Sequence, residues 1–145
     1  MAGKYLQGIF RPERPEKYVG KVDAIIYRSS WELRVMQRFD SDPNIVAWNS
    51  EGVKIPYSDL ARNKLRVYHV DFWIKKANGE QILIEVKPYD ETKPPIQEKK
   101  TKKRFIQECM TYATNTSKWR AAKIFATDHG MKFVIITEKD LMISR

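Results

Sequence analysis

The apolar positions in the first third of the chain follow the period of an α-helix. Ser29, followed three residues later by Glu32, forms a capping box, the signal that opens a helix. Asp42-Pro43 ends the pattern, so the predicted helix runs to about Asp40. Its buried face consists of four residues at helical spacing: Trp31, Val35, Met36 and Phe39.

Three strand-like segments follow this helix. Residues 52–57 alternate between apolar and polar positions, and residues 65–75 and 81–87 are rich in Val, Ile and aromatic side chains. Residues 45–48 could add an irregular extended piece before them. The turn signal at 77–79 joins the last two segments into a hairpin.

The length of that turn decides which side chains face each other across the hairpin. A two-residue turn sets Asp71 opposite Val86, on the other face from Glu85. A three-residue turn with Gly79 in the left-handed conformation instead sets Asp71 opposite Glu85. Only the second register brings the two carboxylates within several ångströms of each other.

The second half of the chain predicts a loop, one or two helices and a last strand. Prolines make residues 88–97 a loop. A helical pattern covers about residues 99–113 and resumes over 119–125, and Gly130 closes it. The sequence leaves open whether Asn115 divides two helices. The remaining predicted elements are a buried strand over 133–137 and a last turn over 138–142.

Composition indicates one folded domain that meets a polyanion. Of 145 residues, 42% are apolar and 31% charged, as in ordinary globular proteins, and this length suits one domain. We divide the chain into an irregular basic arm over residues 1–26, which could order only on a partner, and a single domain over residues 27–145. A net charge of +9 favours nucleic acid, although ribosomal and membrane-surface proteins share that balance.

Cysteine content and hydropathy exclude several classes of protein. Cys109 is the only cysteine, so no disulfide can form within the chain and a reducing compartment is expected. With only His69 and His129 beside it, a structural zinc site is nearly excluded. No apolar run reaches the length of a membrane span, and residues 1–15 lack a secretory signal, so we expect no membrane partner.

Charged residues interrupt the two hairpin strands where apolar residues are expected. Asp71 lies among apolar and aromatic neighbours, and alternation puts Glu85 and Lys87 on one face of the next strand. If Asp71 shares that face, the two carboxylates repel unless a cation lies between them or one binds a proton. All-oxygen ligands favour Mg²⁺ or Mn²⁺. The plain alternative is an ordinary Asp71–Lys87 ion pair, worth about 0.2–1 kcal/mol.

These residues resemble the signature of a known nuclease superfamily. Asp71, thirteen intervening residues and Glu85-Val86-Lys87, placed after a helix that carries Glu32, resemble the PD-(D/E)xK nucleases. The order of elements resembles their αβββαβ core over about residues 28–137. Val70 stands where a proline is common, a variation that leaves the ligands unchanged. Four segments, YRSSWE, DFWI, IEVKP and KWRAA, resemble the head completion nucleases of large tailed phages and, through them, the TnsA-type transposon-end endonucleases.

The resemblance implies a restriction-endonuclease-like α/β fold, with a mixed central sheet flanked by helices, and hydrolysis of DNA. It implies that Mg²⁺, with Mn²⁺ as a substitute, is held by the Asp71 and Glu85 carboxylates and the Val86 carbonyl. Lys87 would orient or deprotonate the attacking water, and the products would carry 5′-phosphates. Glu32 matches the glutamate that completes the site in many members, which implies a catalytic role and a further metal ligand, although as a capping-box residue it needs no further role.

The resemblance also implies a biological setting. The nuclease would act on packaged DNA during phage head completion and head-tail joining, with DNA and portal or neck proteins as partners. It would work in the host cytoplasm during assembly, or in the head-neck region of the virion. The competing class is a non-catalytic DNA- or portal-binding protein of the phage neck, which would have no reason to keep two facing carboxylates. A site-specific endonuclease subunit of a transposition or restriction system is a third possibility, and the sequence leaves the oligomeric state open.

Six basic residues are candidate DNA contacts. Five of them lie in the run from 99 to 104, beside the loop that follows Lys87, where they could reach a DNA backbone. A run of charge is as often only a solvated helix face. The six residues are Arg28, Lys99, Lys100, Lys102, Lys103 and Arg104.

Overall fold

The computed structural model describes residues 7–143 of the chain. The N-terminal part contains β1 (Gly8–Ile9), β2 (Ile26–Tyr27) and α1 (Ser30–Ser41). Five strands follow: β3 (Ile45–Ser50), β4 (Lys54–Asp59), β5 (Lys64–His69), β6 (Phe72–Lys76) and β7 (Gln81–Val86). The C-terminal part contains α2 (Lys102–Asp128), β8 (Lys132–Ile136) and α3 (Glu138–Ile143). None of the helices in this described part has the length and apolar character needed to cross a membrane.

A four-stranded mixed sheet forms the centre, with the strand order β3-β6-β7-β8. Strand β6 pairs antiparallel with β3 and β7, and β8 lies parallel to β7. Alternate residues of β7 face opposite layers: Ile82 and Ile84 pack on the α1 side with Phe39, and Leu83 packs with Ala122 of α2. The predicted restriction-endonuclease-like class, a mixed sheet flanked by helices, is confirmed.

Two long segments, residues 45–59 and 64–76, each bend, and their bends lie side by side. The predicted strand over 65–75 is divided into β5 and β6, and the predicted irregular piece over 45–48 is a full strand, β3, which continues past a bend into β4. Three residues, 51–53, separate β3 from β4, whereas only 70 and 71 separate β5 from β6, so the pairing shifts by one residue. Glu51 takes up the extra length with a φ of +58°. Asp71 therefore lies in a bend instead of inside a regular strand.

Strands β4 and β5 form a separate two-stranded ribbon. The three strand-like segments predicted from the sequence therefore do not form one continuous sheet, since they divide between this ribbon and the central sheet. The inner face of the ribbon, which includes Ile55, Tyr57 and Tyr68, packs against Ala122 and Ala126 of α2. This packing buries apolar surface that the central sheet does not cover.

The β6–β7 hairpin has the three-residue turn of the second predicted register. The Lys76 backbone N–H donates to the Glu80 carbonyl at 2.8 Å, and Gly79 has a φ of +91°. One step beyond the last paired residues, this register sets Asp71 opposite Glu85. The turn thus determines that the two carboxylates share a face.

Helix α1 begins where its capping signal predicted. The Ser29 hydroxyl accepts the Glu32 backbone N–H at 3.1 Å, but the Glu32 carboxylate accepts the N–H of Arg28, at 3.0 Å, instead of that of Ser29. One Glu32 oxygen is therefore fixed by the backbone just before the helix. Of the predicted apolar face, Trp31 is only partly buried, and three residues are fully buried: Val35, Met36 and Phe39.

Residues 7–26 pack against the domain, so this part of the arm does not need a partner to order it, and residues 1–6 of the arm lie outside the described residues. Phe10 and Ile25 are buried in the core. The last carbonyls of a helix lack partners within it, and a buried lysine satisfies those at the end of α1. The Lys17 ammonium donates to the carbonyls of Phe39 at 2.5 Å, Asp40 at 2.9 Å and Asp42 at 2.9 Å.

Helix α2 is a single helix of 27 residues. Asn115, where the sequence left a break open, is buried within it. The predicted end is correct, since Gly130 has a φ of +70° and the Met131 N–H donates back to the Ala126 carbonyl at 2.7 Å. The loop over 88–97 contains one short 3-10 turn at Tyr89–Thr92, which the prediction of an irregular loop did not include.

Candidate active site

The bend between β5 and β6 brings the two predicted carboxylates together at one end of the sheet. Asp71 lies opposite Glu85, and its Oδ2 accepts the backbone N–H of Val86 at 2.8 Å. Across the bend, the Asp71 carbonyl accepts the backbone N–H of Glu51 at 3.0 Å. Hydrogen bonds on both sides therefore fix the position of Asp71.

Glu85 is only 7% exposed, and both of its carboxylate oxygens have partners. The Tyr68 hydroxyl donates to Oε1, and Nζ of Lys87 lies 3.6 Å from Oε2. Burial raises the pKa of Tyr68 and the Glu85 charge raises it further, so the phenol keeps its proton and remains a donor. Tyr68 and Lys87 thus hold Glu85 from two sides.

The carboxylate pair carries an electrostatic conflict. Burial raises the pKa of Asp71 well above its usual value, and the neighbouring Glu85 charge raises it further. The Val86 N–H and the Lys87 ammonium oppose this rise, whereas the Glu32 charge adds to it. Without a cation, the site therefore favours a proton on Asp71.

Glu32 lies at the rim of this pair. Burial raises its pKa, and the hydrogen bond from the Arg28 N–H lowers it. Its charge acts on Asp71, yet one of its oxygens is engaged by that N–H. Among the described residues, no three or more His, Cys, Asp or Glu side chains lie close enough together to hold a metal ion. Asp71 and Glu85 therefore form a two-carboxylate site on which Glu32 acts through its charge, and direct contact of Glu32 with a metal ion stays a prediction.

An ion pair between Arg28 and Glu51 closes the rim on the α1 side. Nη2 of Arg28 lies 3.3 Å from Oε2 of Glu51, and both side chains are partly exposed. The backbone N–H of Arg28 holds Glu32, and that of Glu51 holds Asp71. Arg28 was predicted to contact DNA. Its guanidinium would have to exchange Glu51 for a phosphate, and this contact stays a prediction.

The donor set fits a divalent cation that keeps part of its water. Mg²⁺ is commonly held by one or two carboxylates and several waters instead of a full cage of side chains. Oδ1 of Asp71 takes no hydrogen bond from the part of the chain that the structure describes, and the nearby Glu85 charge is a reason for a cation to bind there. The Val86 carbonyl, next to Glu85 in the strand, is the third oxygen that the resemblance assigns.

Three residues of this region were not singled out from the sequence. Alternation in an unbroken strand would put Tyr68 and Asp71 on opposite faces, and only the bend between them brings both to Glu85. Glu51 faces Asp71 from the other bend. Lys118 of α2 has its Nζ 5.6 Å from the centroid of the Tyr68 ring. Its place in the KWRAA segment was the one sequence signal for it.

The basic run from 99 to 104 covers the first residues of α2 and the residues just before them, several turns of that helix before Lys118, which lies near the carboxylates. Lys100 and Arg104 pair with Glu108, at 2.5 Å and 3.0 Å. The helix rise separates Lys102 from Lys118 by about 24 Å. Contact of this run with DNA stays a prediction. The exposed members without an ion pair in the described chain are Lys99, Lys102 and Lys103.

Comparison with known proteins places this site in a family. The family described as "TnsA-like endonuclease N terminal" matches residues 42–138, which include Asp71, Glu85 and Lys87. The chain belongs to this family, and the resemblance predicted from its motifs is confirmed. Among individual proteins, the Head completion nuclease of Enterobacteria phage T4 is 41% identical over 138 residues, or 92% of this chain and 92% of that protein. Glu32 lies before the matched range.

Proposed function

We propose that this protein is a Mg²⁺-dependent deoxyribonuclease that hydrolyses phosphodiester bonds and leaves 5′-phosphate ends, with Mn²⁺ able to replace Mg²⁺. The observation that carries the proposal is the facing Asp71–Glu85 pair with the Lys87 ammonium 3.6 Å from Glu85. Membership of the TnsA-like endonuclease family and the name of the phage T4 relative support a nuclease.

Asp71, Glu85 and the Val86 carbonyl would hold the metal ion. A bound divalent ion would lower the pKa of a coordinated water and neutralise charge that develops on the phosphate. Asp71 offers Oδ1 while its Oδ2 stays on the Val86 N–H, so its orientation does not depend on the ion. Tyr68 keeps Glu85 in position, as the hydrogen-bond partner of a metal-binding carboxylate generally does.

Lys87 is the member of the set that is not a ligand. Its backbone N–H donates to the Ile136 carbonyl of β8 at 2.9 Å, so the sheet fixes the start of its side chain. Its ammonium can hydrogen-bond the attacking water, take part in removing its proton, or stabilise negative charge on the phosphate. Water that attacks phosphorus and displaces the 3′ oxygen leaves the phosphate on the 5′ end of the product.

We further propose that the substrate is packaged phage DNA and that cutting takes place during head completion and head-tail joining. The 92% coverage of the phage T4 protein supports this setting. Portal or neck proteins would then be docking partners, in the host cytoplasm during assembly or in the head-neck region of the virion. The non-catalytic alternative requires DNA binding alone, and a net charge of +9 is the observation that favours it.

Incubation with supercoiled plasmid and with linear duplex DNA tests the proposed activity. In Mg²⁺ or Mn²⁺ we expect cleavage, and in excess EDTA none. Lys75→Gln, which neutralises an exposed lysine at the other end of β6 from Asp71, should cut like the wild type. Ligation of endonucleolytic products without prior kinase treatment would detect 5′-phosphates.

Three outcomes would contradict the proposal in different ways. Undiminished cutting in excess EDTA would exclude the metal mechanism. Binding of both DNA substrates without cutting of either would favour the non-catalytic neck protein. Products that ligate only after removal of a 3′-phosphate and phosphorylation of the 5′ end would show that the bond breaks on the other side of the phosphate.

A further inference from the structure

A row of cations leads away from the carboxylate pair, between the β4–β5 ribbon and α2. Arg66 and Tyr68 lie two residues apart on β5, and therefore on the same face. Thr114 and Lys118 lie one turn apart on α2, and both face the ribbon: Thr114 donates to Asp59 of β4, and Lys118 lies over Tyr68. Lys118 is therefore at the end of the row near the active site, and Arg66 is farther toward the ribbon's turn.

A buried carboxylate organises the far end of this row. Asp59 is 0% exposed, and it accepts the Thr114 hydroxyl at 2.9 Å and the Arg66 guanidinium at 3.1 Å. Arg62 donates its backbone N–H to Asp59 at 3.3 Å and its guanidinium to the Thr114 hydroxyl. Burial alone would raise the pKa of Asp59, but these hydrogen bonds outweigh burial and lower it. Asp59 is therefore charged, and it holds both arginines in place.

The row has more positive charge than Asp59 can neutralise. The Arg62 and Arg66 side chains are 36% and 41% exposed, so both reach solvent while they contact Asp59. A guanidinium has five N–H donors, and these contacts use only some of them. Lys118 is partly buried and makes no ion pair within the described part of the chain; burial lowers the pKa of its ammonium, and the charges of Glu85 and Asp71 oppose that shift. An anion at this place would compensate all three cations.

We propose that Lys118, Arg66 and Arg62 form a track that binds backbone phosphates of one DNA strand as it leaves the active site toward the ribbon's turn. This inference rests on the proposed function, because it takes the occupant to be the nuclease's own substrate. Arg66 lies five residues before Asp71 with the bend between them, so the two are at most about 16 Å apart, which corresponds to at most about five nucleotides of a DNA strand. The track contacts phosphates, so it positions DNA without recognising its sequence.

The chemistry of the row favours DNA over a protein partner. The exposed apolar side chains of the ribbon, Leu65 and Val67, lie on the opposite face of β5 from Arg66. A protein that docked on those side chains would leave the row unoccupied. An anion that enters the row meets arginine donors on the ribbon side and a lysine donor on the α2 side, and both kinds of side chain bind phosphate groups in proteins.

Binding of a fluorescein-labelled duplex longer than the track, measured over a series of salt concentrations, tests the proposal without requiring cleavage. All proteins carry Lys87→Ala so that no DNA is cut. Lys118→Gln and Arg66→Gln should each weaken binding and reduce the slope of log affinity against log salt by about 0.9. Lys75→Gln and Lys123→Gln remove exposed lysines outside the row and should change the slope much less.

Arg66→Gln takes a partner from Asp59, so a thermal melt must accompany it. If that variant does not fold, Lys118→Gln, which leaves the Asp59 contacts intact, carries the test alone. Equal slope changes in row and control variants, or no change in Lys118→Gln, would overturn the track. An equal loss of affinity for poly-glutamate would also overturn it and indicate an acidic peptide. Wild-type protein that does not cut, while the slope changes hold, would instead overturn the proposed function and keep the track.

Discussion

Replacing Asp71 by asparagine should stabilise the metal-free protein, even though it removes a proposed metal ligand. Asparagine is nearly the same size and keeps an oxygen that can accept the Val86 N–H. It removes the charge that burial and the neighbouring Glu85 make unfavourable. The expected sign is opposite to that of an ordinary ion pair between Asp71 and Lys87, where loss of one partner lowers stability.

The size of the effect follows from the cross-strand geometry. Facing side chains on an antiparallel pair are about 5 Å apart. Two like charges at that distance repel by about 3 kcal/mol at an effective dielectric constant of about 20. Loss of the attraction to Lys87, and of about 1 kcal/mol from the hydrogen bond to a charged acceptor, offsets part of this gain. We expect a net stabilisation of about 1 kcal/mol, or about 2–4 °C in Tm for a chain of this length.

The gain should also depend on pH. An unfolded Asp71 titrates near its ordinary pKa of 3.8, whereas burial and Glu85 raise the pKa in the folded protein. Between those two values the folded state binds more protons than the unfolded state, so wild-type stability falls as pH rises through this window. Asp71→Asn lacks this titration. The Tm difference between variant and wild type, measured in EDTA, should therefore be smallest in acid and grow toward neutral pH.

Thermal melts in EDTA and in Mg²⁺ measure both parts of the argument. In EDTA, Asp71→Asn should melt at or above the wild-type temperature. Mg²⁺ at about a hundredfold excess over its dissociation constant should stabilise the wild type by about 2.7 kcal/mol, and the variant much less. Glu108→Gln is the matched control, because hydrogen bonds from Lys100 and Arg104 lower the pKa of Glu108 and removal of its charge should not stabilise.

Two results would separate the electrostatic argument from the metal. Clear destabilisation of Asp71→Asn in EDTA, with no Mg²⁺ shift in either protein, would refute the reasoning and leave Asp71 and Lys87 as a stabilising pair. Stabilisation in EDTA without any Mg²⁺ shift of the wild type would keep the repulsion but contradict the metal site.

Four further variants, at three residues, test individual roles at the site. Lys87→Ala should abolish cleavage while duplex binding persists, and Lys87→Arg should also fail because a planar guanidinium cannot replace a compact ammonium; near wild-type turnover of the arginine variant would reduce Lys87 to a general positive charge. Tyr68→Phe should lower kcat by about 10- to 100-fold, because Glu85 loses the hydrogen bond from the Tyr68 hydroxyl that keeps its carboxylate in position. An unchanged kcat would show that Tyr68 does not position Glu85. Glu32→Gln should melt at or above the wild-type temperature, since glutamine can still accept the Arg28 N–H and lacks a charge that burial makes unfavourable, but it should cut more slowly; equal cleavage rates would leave Glu32 with its backbone hydrogen bond alone.

The parts of the site that could be predicted from the sequence depend on short-range signals. Gly79 supplies the left-handed position of a three-residue turn, and that turn alone sets Asp71 opposite Glu85. The Ser29 hydroxyl starts α1 and so places Glu32. Each of these signals acts over a few residues, where local conformational preference is strong enough to decide the structure.

The bends of the two long segments could not be predicted, because they depend on pairing between segments. Residues 65–75 are rich in apolar and aromatic side chains, and the one carboxylate among them, Asp71, does not distinguish a bend at 70 and 71 from a functional residue on a regular strand. The break lies against the bend of the other segment, which has one residue more and where Glu51 adopts a positive φ. Tyr68 was missed for this reason, since an unbroken strand would turn it away from Asp71.

The row of cations could be predicted from the sequence only in part: its buried carboxylate and arginines lie in one hairpin, but its other residues lie on α2. Ile55 and Tyr57 are buried on the inner face of β4, and a period of two puts Asp59 on that same face, so a buried carboxylate with an unmet need for donors could have been inferred. The nearest basic residues, Arg62 and Arg66, lie in the same hairpin and meet part of that need. The remaining partner is Thr114 of α2, 55 residues away. Only the packing of α2 on the ribbon supplies it, and the same packing brings the next turn of that helix, with its lysine, to the active site.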